Sequence, residues 1–216
     1  MLEEGGYYAI KGFSYQYIVS LIEIFSCKDY NHTFSFENIQ DFNDDTVIYQ
    51  MKYKETQHFT NSQIKEPTIK ILEQFKSMKK DYILYTYFGD KNNGELTFSS
   101  VEELEKVLLN CKIDQKQYTF TRNEKEEFVK HYKVIFSSDY ASKSMELINL
   151  IKKELNVSNN VAEIYYYNLV SFIIDLIIKH KPENRTCTKQ DLLYYLRNNS
   201  SNIFLEFFEK NKERDK

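Results

Sequence analysis

The chain has 216 residues, of which 42% are hydrophobic, and its formal net charge is −3. Its 18 Tyr and 16 Phe can fill a buried core, and only 5 Gly and 2 Pro are present; these numbers argue against a disordered chain and a turn-rich sandwich. No run approaches the roughly 20 apolar residues of a membrane span, and a uniformly basic nucleic-acid-binding surface is also excluded.

The first part of the chain predicts a helix followed by a β-hairpin. Apolar residues recur with helical spacing over 13–25. The aromatic-rich segment 33–42 alternates between apolar and polar residues and predicts a strand, and 46–54 predicts a second strand. Asn-Asp-Asp at 43–45 is a turn sequence, so we expect the two strands to pair as a hairpin.

One helix and one strand are predicted next. A polar loop containing Pro67 leads into a segment whose apolar residues between 69 and 78 have helical spacing. The β-prone apolar run 82–88 then ends at Gly89, which is typical of a buried strand.

The second half of the sequence predicts mainly helices. Capping boxes begin at Ser100 and Thr121. The segment Val161–Lys181 is apolar almost all round, which predicts a central, buried helix. Further helices are expected over 139–155, 160–180, 189–197 and 201–211.

These elements together predict an α/β fold. The expected core, residues 1–98, is a small mixed sheet with flanking helices. The expected second part, residues 99–216, is helical and packs against the core, binds a partner, or does both.

The cysteines and histidines give little sign of a metal or disulfide site. Cys27, Cys111 and Cys187 are far apart and have no CxxC spacing, which favours a reducing, cytoplasmic location. The four histidines have no zinc-ligand spacing either.

Polar residues of the predicted hairpin form the main candidate site. Because side chains alternate along a strand, Gln50, Lys52 and Lys54 share one face of the second strand. Glu37 and Asp41 share a face of the first. The hairpin is therefore expected to bring Asp41, Gln50 and Lys52 together, with Glu37 farther along the same surface.

This group of side chains suits phosphodiester hydrolysis. Carboxylate and amide oxygens at Asp41 and Gln50 can hold a hard divalent cation, which activates a bound water. Lys52 can orient the water or stabilise developing negative charge. Spacing alone leaves another interpretation open, because solvent-facing polar residues or a core lysine paired with Asp41 give the same pattern.

Three motifs resemble a known nuclease family: Gly12-Phe-Ser-Tyr-Gln16 opening a helix, then Glu37-Asn-Ile-Gln-Asp41, then Gln50-Met-Lys52. In this order they resemble the double-stranded DNA endonuclease domain of CBASS (CD-NTase-associated) antiphage effectors and related SMC-associated systems. That domain belongs to the restriction-endonuclease-like superfamily, whose motif is PD-(D/E)xK. The resemblance covers about residues 5–90.

The resemblance implies roles for five residues. Asp41 matches the metal-binding aspartate, and Gln50 and Lys52 match the (D/E)xK pair, with Gln replacing the carboxylate. Gln16 matches a glutamine of the first helix, and Glu37 matches an acidic position before the aspartate. The implied cofactor is Mg²⁺ or Mn²⁺, and the implied activity is metal-dependent cleavage of double-stranded DNA.

The implied partners are double-stranded DNA and a second copy of the chain or other subunits of a defence complex, which would activate the nuclease. Lys54, Lys65 and Lys70 follow the candidate site and could bind DNA phosphates, although they fit a solvated helix face equally well. Two other functions stay open: a catalytically silent, nuclease-like adaptor subunit, and a nuclease directed at RNA. A terminal stripe of Phe204, Phe207 and Phe208 would suit either a core or a partner subunit.

Overall fold

The structure is a computed structural model and describes residues 5–198. The helices are α1 (Gly5–Ser26), α2 (Asn61–Phe75), α3 (Val101–Leu108), α4 (Arg122–His131), α5 (Tyr140–Leu155), α6 (Asn159–Ile177) and α7 (189–198), with a short 3-10 turn at Pro182–Asn184. The strands are β1 (Thr33–Phe36), β2 (Phe42–Asn43), β3 (Val47–Lys54), β4 (Asp81–Phe88), β5 (Gly94–Thr97), β6 (Lys112–Ile113), β7 (Lys116–Gln117), β8 (Tyr132–Phe136) and β9 (Thr186–Thr188).

Seven strands form one mixed sheet in the order β5-β8-β4-β3-β2-β1-β9, and β6 and β7 form a separate pair. The central strands β3, β4 and β8 are parallel, whereas the pairings toward both edges are antiparallel. Gln50 lies opposite Leu84 and Lys52 lies opposite Thr86 in the β3–β4 pairing. The structure is therefore α/β, as the sequence predicts.

Helices cover both faces of the sheet. On one face α1, α5, α6 and α7 pack over a core that includes Tyr15, Met51 and Leu169. On the other face α2, α3 and α4 pack over a core that includes Leu84 and Phe128. Strand β4 is buried almost throughout, as expected for a central strand with helices on both sides.

The alternation predicted for the second strand is confirmed. Tyr49, Met51 and Tyr53 belong to the α1 side of the sheet. Gln50 and Lys52 line a groove with residues of α2 on the opposite side. This placement follows from the period of two along a strand.

The first strand, predicted over 33–42, is not continuous in the structure. The chain leaves β1 after Phe36, turns over residues 37–41, and re-enters the sheet as β2. Glu37 has a left-handed φ of 46°, and its N–H donates to the Asp41 carbonyl over 3.2 Å. A left-handed residue interrupts the strand, so Glu37 and Asp41 lie at the two ends of a turn and not on one strand face.

Pro67 lies inside α2 and not in a loop. Its side chain is buried beside Ile64 and Ile71. The helix forms although a proline removes one backbone donor, and its apolar side packs against the sheet.

The second half contributes to the sheet as well as to the helical layers. Strand β8 lies between β4 and β5, and β9 forms the edge next to β1; neither strand was predicted. The predicted helices over 139–155, 160–180 and 189–197 correspond to α5, α6 and α7. Because both halves supply strands to one sheet, the second part is not purely helical. The helix predicted over 201–211 lies outside the described residues.

Helix α6 is not buried all round. Its inner side packs on α1 and α5, whereas Ile164, Tyr167 and Ile174 of its outer side are exposed. The prediction of a central helix was wrong because apolar composition does not specify which side of a helix is covered.

None of the helices within residues 5–198 has the length and apolar character needed to cross a membrane.

Candidate active site

The Asp41 carboxylate accepts three hydrogen bonds between β2 and β3. The Gln50 Nε2 and the backbone N–H of Met51 both donate to Asp41 Oδ2 over 2.6 Å. The Gln16 Nε2, which comes from α1, donates to the same oxygen over 3.2 Å. The structure therefore brings together three of the residues that the sequence singled out: Gln16, Asp41 and Gln50.

Two turns set the position of Asp41. The turn over 37–41 places it immediately before β2. On the other side of β2, the Asp44 Oδ1 accepts hydrogen bonds from the backbone N–H groups of Thr46 and Val47, both over 2.7 Å. This second turn fixes the register Phe42↔Tyr49, and it thereby brings the Asp41 side chain to the backbone of Met51.

Lys52 acts on this site through its charge. Burial raises the pKa of the Asp41 carboxyl above its ordinary value, while the Met51 N–H, the Lys52 ammonium and the Gln50 amide act in the opposite direction. Because burial outweighs these groups, the ionised carboxylate is under-stabilised by the protein alone. A cation bound at Asp41 would supply the missing positive charge.

Glu37 belongs to the same electrostatic group. Burial and, after it, the negative charge of Asp41 raise the pKa of the Glu37 carboxyl, and the charges of Arg185 and Lys52 lower it. A carboxyl group whose pKa is raised by burial and by a neighbouring acid is a common feature of cation-binding and catalytic sites. The charge of Asp41 therefore acts on Glu37, and Glu37 reaches this position from a turn and not from the predicted strand face.

Oxygen atoms available at the site fit a hard divalent cation. The three hydrogen bonds to Asp41 all end on Oδ2, which leaves Oδ1 as the oxygen for a cation. Gln16 Oε1 is buried and has no hydrogen-bond partner among the described residues. Mg²⁺ accepts carboxylate and amide oxygens and usually retains several waters, so Asp41 and Gln50 fit such an ion, with Glu37 and Gln16 nearby.

The small number of acidic side chains argues against a tightly binding cation site. Across residues 5–198 there is no group of three or more His, Cys, Asp or Glu side chains that could hold a metal ion. A bound cation would therefore depend on amide oxygens and water for part of its coordination. Gln50 stands where the (D/E)xK motif has an acidic residue, so this site has one carboxylate fewer than that motif. It is therefore expected to bind a divalent cation more weakly.

A polar groove extends from Gln50 between β3 and α2. It has a volume of about 300 Å³ and is lined by Gln50, Lys52, Lys54, Ser62, Gln63, Glu66, Pro67 and Lys70. Lys70 pairs with Glu66 over 2.6 Å. Three lysines along one groove, two of them from the strand that carries Gln50, make this the basic side of the site.

The three predicted DNA-contacting lysines separate into two groups. Lys54 and Lys70 line the groove. Lys65 points elsewhere, because its Nζ donates to Asn110 Oδ1 over 3.0 Å. The role of Lys54 and Lys70 in binding DNA stays a prediction, and Lys65 is not part of this groove.

Arg185 reaches the site from the second half of the chain and was not predicted. Its Nη1 donates to the Glu37 carbonyl over 3.1 Å and its Nε donates to the Lys179 carbonyl over 2.9 Å. Its own carbonyl accepts from the Phe36 N–H over 2.9 Å. Arg185 therefore holds the start of the 37–41 turn. Nothing in the sequence near Arg185 indicates this contact, because the two residues are separated by 148 positions.

Comparison of the chain with family models, curated proteins and solved structures found no match.

The three cysteines are free thiols.

Proposed function

We propose that the chain is a metal-dependent endonuclease that cleaves double-stranded DNA. One observation carries the proposal: the Asp41 carboxylate and the Gln50 amide are in direct contact between β2 and β3, within reach of the Lys52 charge. An acid, an amide and an amine on neighbouring strands are the residues that the resemblance to the CBASS-associated nuclease domain assigns to catalysis.

The architecture is compatible with this proposal. A small mixed sheet with helices on both faces is the architecture expected for a restriction-endonuclease-like core. Residues 5–88 supply α1, the three antiparallel strands, α2 and the parallel strand β4. The candidate residues lie together at one place in this arrangement, where β2 separates from β3.

The proposed reaction is hydrolysis of a phosphodiester bond. Asp41 and Gln50 would hold a divalent cation, which would supply a bound water of lowered pKa and offset charge on the phosphate. Lys52 orients the attacking water or stabilises the negative charge that develops on the phosphate oxygens. The water oxygen forms a bond to phosphorus, the bond to the 3′-oxygen breaks, and the products carry a 5′-phosphate and a 3′-hydroxyl.

The proposed substrate is suggested by the groove beside the site. Lys54 and Lys70 can neutralise backbone phosphates without reading bases, which favours sequence-tolerant binding that weakens with salt. We further propose that the nuclease acts in the cytoplasm in antiphage defence and is activated by oligomerisation or by a partner, because an unregulated nuclease would cut the host chromosome.

A silent, nuclease-like adaptor is the second candidate. The observation that favours it is the saturation of Asp41 Oδ2 by protein donors, which also describes a purely structural buried carboxylate. An adaptor would bind its partner subunits tightly, show no cation-dependent cleavage in the assembled complex, and retain its fold when Lys52 is changed.

A substrate panel tests the proposal. The full chain, alone and together with the products of its neighbouring genes, is incubated with duplex DNA, single-stranded DNA and RNA, in Mg²⁺, in Mn²⁺ and in excess chelator. The proposal expects cation-dependent cleavage of duplex DNA. Cleavage confined to RNA, or no cleavage in any combination, would contradict it.

A further inference from the structure

The groove between β3 and α2 is formed by two rows of polar side chains. The strand contributes every second residue and the helix contributes every fourth residue, as expected for one face of each element. The rows are Gln50, Lys52 and Lys54 on the strand, and Ser62, Glu66 and Lys70 on the helix. The groove is therefore lined by three lysines and a single acidic residue.

The two lysines of β3 have no counter-charge in contact with them. The side chains of Lys52 and Lys54 form no hydrogen bond or ion pair with any residue between 5 and 198, and both residues are partly exposed. Unpaired lysines along one groove give it an excess of positive charge, which favours an anionic ligand.

Glu66 is the acid that faces these lysines. Its Oε1 accepts a hydrogen bond from the Lys70 Nζ over 2.6 Å. This bond lowers the pKa of the Glu66 carboxyl below its usual value, and the charges of Lys52 and Lys54 lower it further. The carboxylate therefore lies within electrostatic range of all three lysines, where it is the anion already present in the groove.

The pair of Glu66 and Lys70 can be displaced at little cost. Their side chains are 57% and 55% exposed, and an exposed ion pair within one helix contributes little to stability. A phosphate oxygen is an equally good acceptor for a lysine ammonium. A nucleic-acid backbone also brings several phosphates to the groove at once. A bound backbone can therefore replace the Glu66 carboxylate at Lys70.

Helix α2 carries a second ion pair that lies outside the groove. The Glu73 Oε2 accepts a hydrogen bond from the Lys76 Nζ over 3.1 Å, and neither residue lines the groove. Because the two pairs have the same chemistry and lie on the same helix, the second pair is a matched control for the first.

We propose that Glu66 is an internal competitor of the substrate: its carboxylate takes the place of a backbone phosphate in the free chain, and DNA binds by displacing it from Lys70. This inference rests on the DNA-binding part of the proposed function, because the phosphate that displaces Glu66 belongs to the proposed substrate. The competition lowers the affinity of the chain for DNA, and it thereby restrains the nuclease. The sequence did not indicate this role, since the two residues have the spacing of an ordinary helix-surface pair.

The affinity of the full chain for a short fluorescein-labelled DNA duplex is measured by anisotropy in excess chelator, which separates binding from cleavage. Glu66→Gln keeps the size of the side chain and removes the competing charge, so it should tighten binding at least about threefold at low salt. Glu73→Gln removes an equal charge from the same helix and should change the affinity much less. The gain from Glu66→Gln should shrink as the salt concentration rises.

The lysines of the two pairs give a second measurement. Lys70→Gln should lower the slope of log affinity against log salt by about 0.9, the value for one phosphate contact. Lys76→Gln should leave this slope unchanged. Circular dichroism establishes that each variant is folded.

Three results would overturn the proposal. The first is a Glu66→Gln variant that binds the duplex no more tightly than the wild type does. The second is an equal gain from Glu73→Gln, because net charge alone would then explain the change. The third is a salt slope that Lys70→Gln does not alter. Failure of the proposed nuclease is a different result: Glu66→Gln would bind DNA more tightly, as expected here, while the wild-type chain cleaves no DNA in Mg²⁺ with the neighbouring gene products.

Discussion

The Asp41 carboxylate accepts a hydrogen bond from the Met51 backbone N–H over 2.6 Å. The pairing of β2 with β3 ends at Phe42↔Tyr49, and this hydrogen bond forms two residues farther along β3. The carboxylate therefore takes the place of a backbone acceptor where the two strands separate. The same contact satisfies a strand N–H and holds the acid beside Gln50 and Lys52, so the local fold and the candidate site depend on one side chain.

Removing the charge of Asp41 should weaken cation binding without unfolding the chain. Asp41→Asn keeps an oxygen that can accept from the Met51 N–H but loses the negative charge that attracts a divalent ion. We expect Mn²⁺ affinity, measured by calorimetry, to fall by at least about tenfold, or ~1.4 kcal/mol. Asp45→Asn, an exposed acid of the neighbouring turn, is the matched control. Equal Mn²⁺ affinity in both variants would place the cation elsewhere or nowhere.

Arg185 is expected to position the 37–41 turn. Arg185→Met removes the donors to the carbonyls of Glu37 and Lys179. Hydrogen bonds from a charged group contribute about 1.5–3 kcal/mol each, so thermal denaturation should show a clear loss of stability. DNA cleavage should fall as well, because Glu37 and Asp41 lie at the two ends of this turn.

The control for Arg185 is Arg122→Met, which removes an equal charge from an exposed arginine of α4. Exposed ion pairs contribute little, so this variant should keep both its stability and its activity. If the two variants lose cleavage to the same extent, Arg185 contributes only net charge and does not position the turn.

How much of this site could be predicted depends on how local each contact is. The shared face of Gln50, Lys52 and Lys54 was predicted because alternation is a fixed property of a strand. The turn between Glu37 and Asp41 was not, since its aromatic-rich surroundings look like one continuous strand and a positive φ leaves no sequence pattern.

Long-range contacts could not be predicted from the sequence either. Strand β8 follows α4 without a glycine or proline, so no signal separated the two elements. Strand β9 has three residues, too few to give an alternating pattern. The Arg185 contact depends on β9 pairing with β1, which only the folded sheet specifies. Likewise, the apolar residues of α6 were identified correctly, but the chain alone does not say which of them the core covers.

Glu23 is expected to make stability depend on pH. Burial raises the pKa of its carboxyl above 4.5, and this effect outweighs the hydrogen bond from Tyr49 and the charge of Lys143. The folded state therefore holds the proton more tightly than the unfolded state. The stability that the protonated Glu23 carboxyl contributes is complete below its pKa in the unfolded state. This stability is lost as the pH rises through the pKa in the folded state.

Glu23→Gln tests this linkage, because an amide keeps an acceptor for the Tyr49 hydroxyl and carries no charge. The melting temperature of the variant should exceed that of the wild type at pH 7, and the difference should shrink toward pH 4. A wild-type chain that is more stable than the variant at neutral pH would show that the ionised carboxylate is favourably paired.

Gly89 is required by the close approach of two segments after β3 and β4. A Cβ atom at this position would lie 2.6 Å from the Glu55 backbone oxygen. Gly89→Ala should therefore cost about 1–3 kcal/mol, the usual range for overpacking, as measured by chemical denaturation. Gly94→Ala, whose Cβ would meet nothing within 4 Å, should have little effect. A similar cost at both positions would mean that the contact with the Glu55 backbone oxygen does not set the loss.

The most direct measurement is the cleavage of supercoiled plasmid by two lysine variants in Mg²⁺, in the presence of the neighbouring gene products. The charge of Lys52 acts on the Asp41 carboxyl, whereas Lys65 is a lysine of equal charge that bonds to Asn110 and does not line the groove. We expect Lys52→Ala to abolish cleavage and Lys65→Ala to cut at the wild-type rate, with both variants folded. Cleavage by Lys52→Ala at the wild-type rate would contradict the assignment of this site.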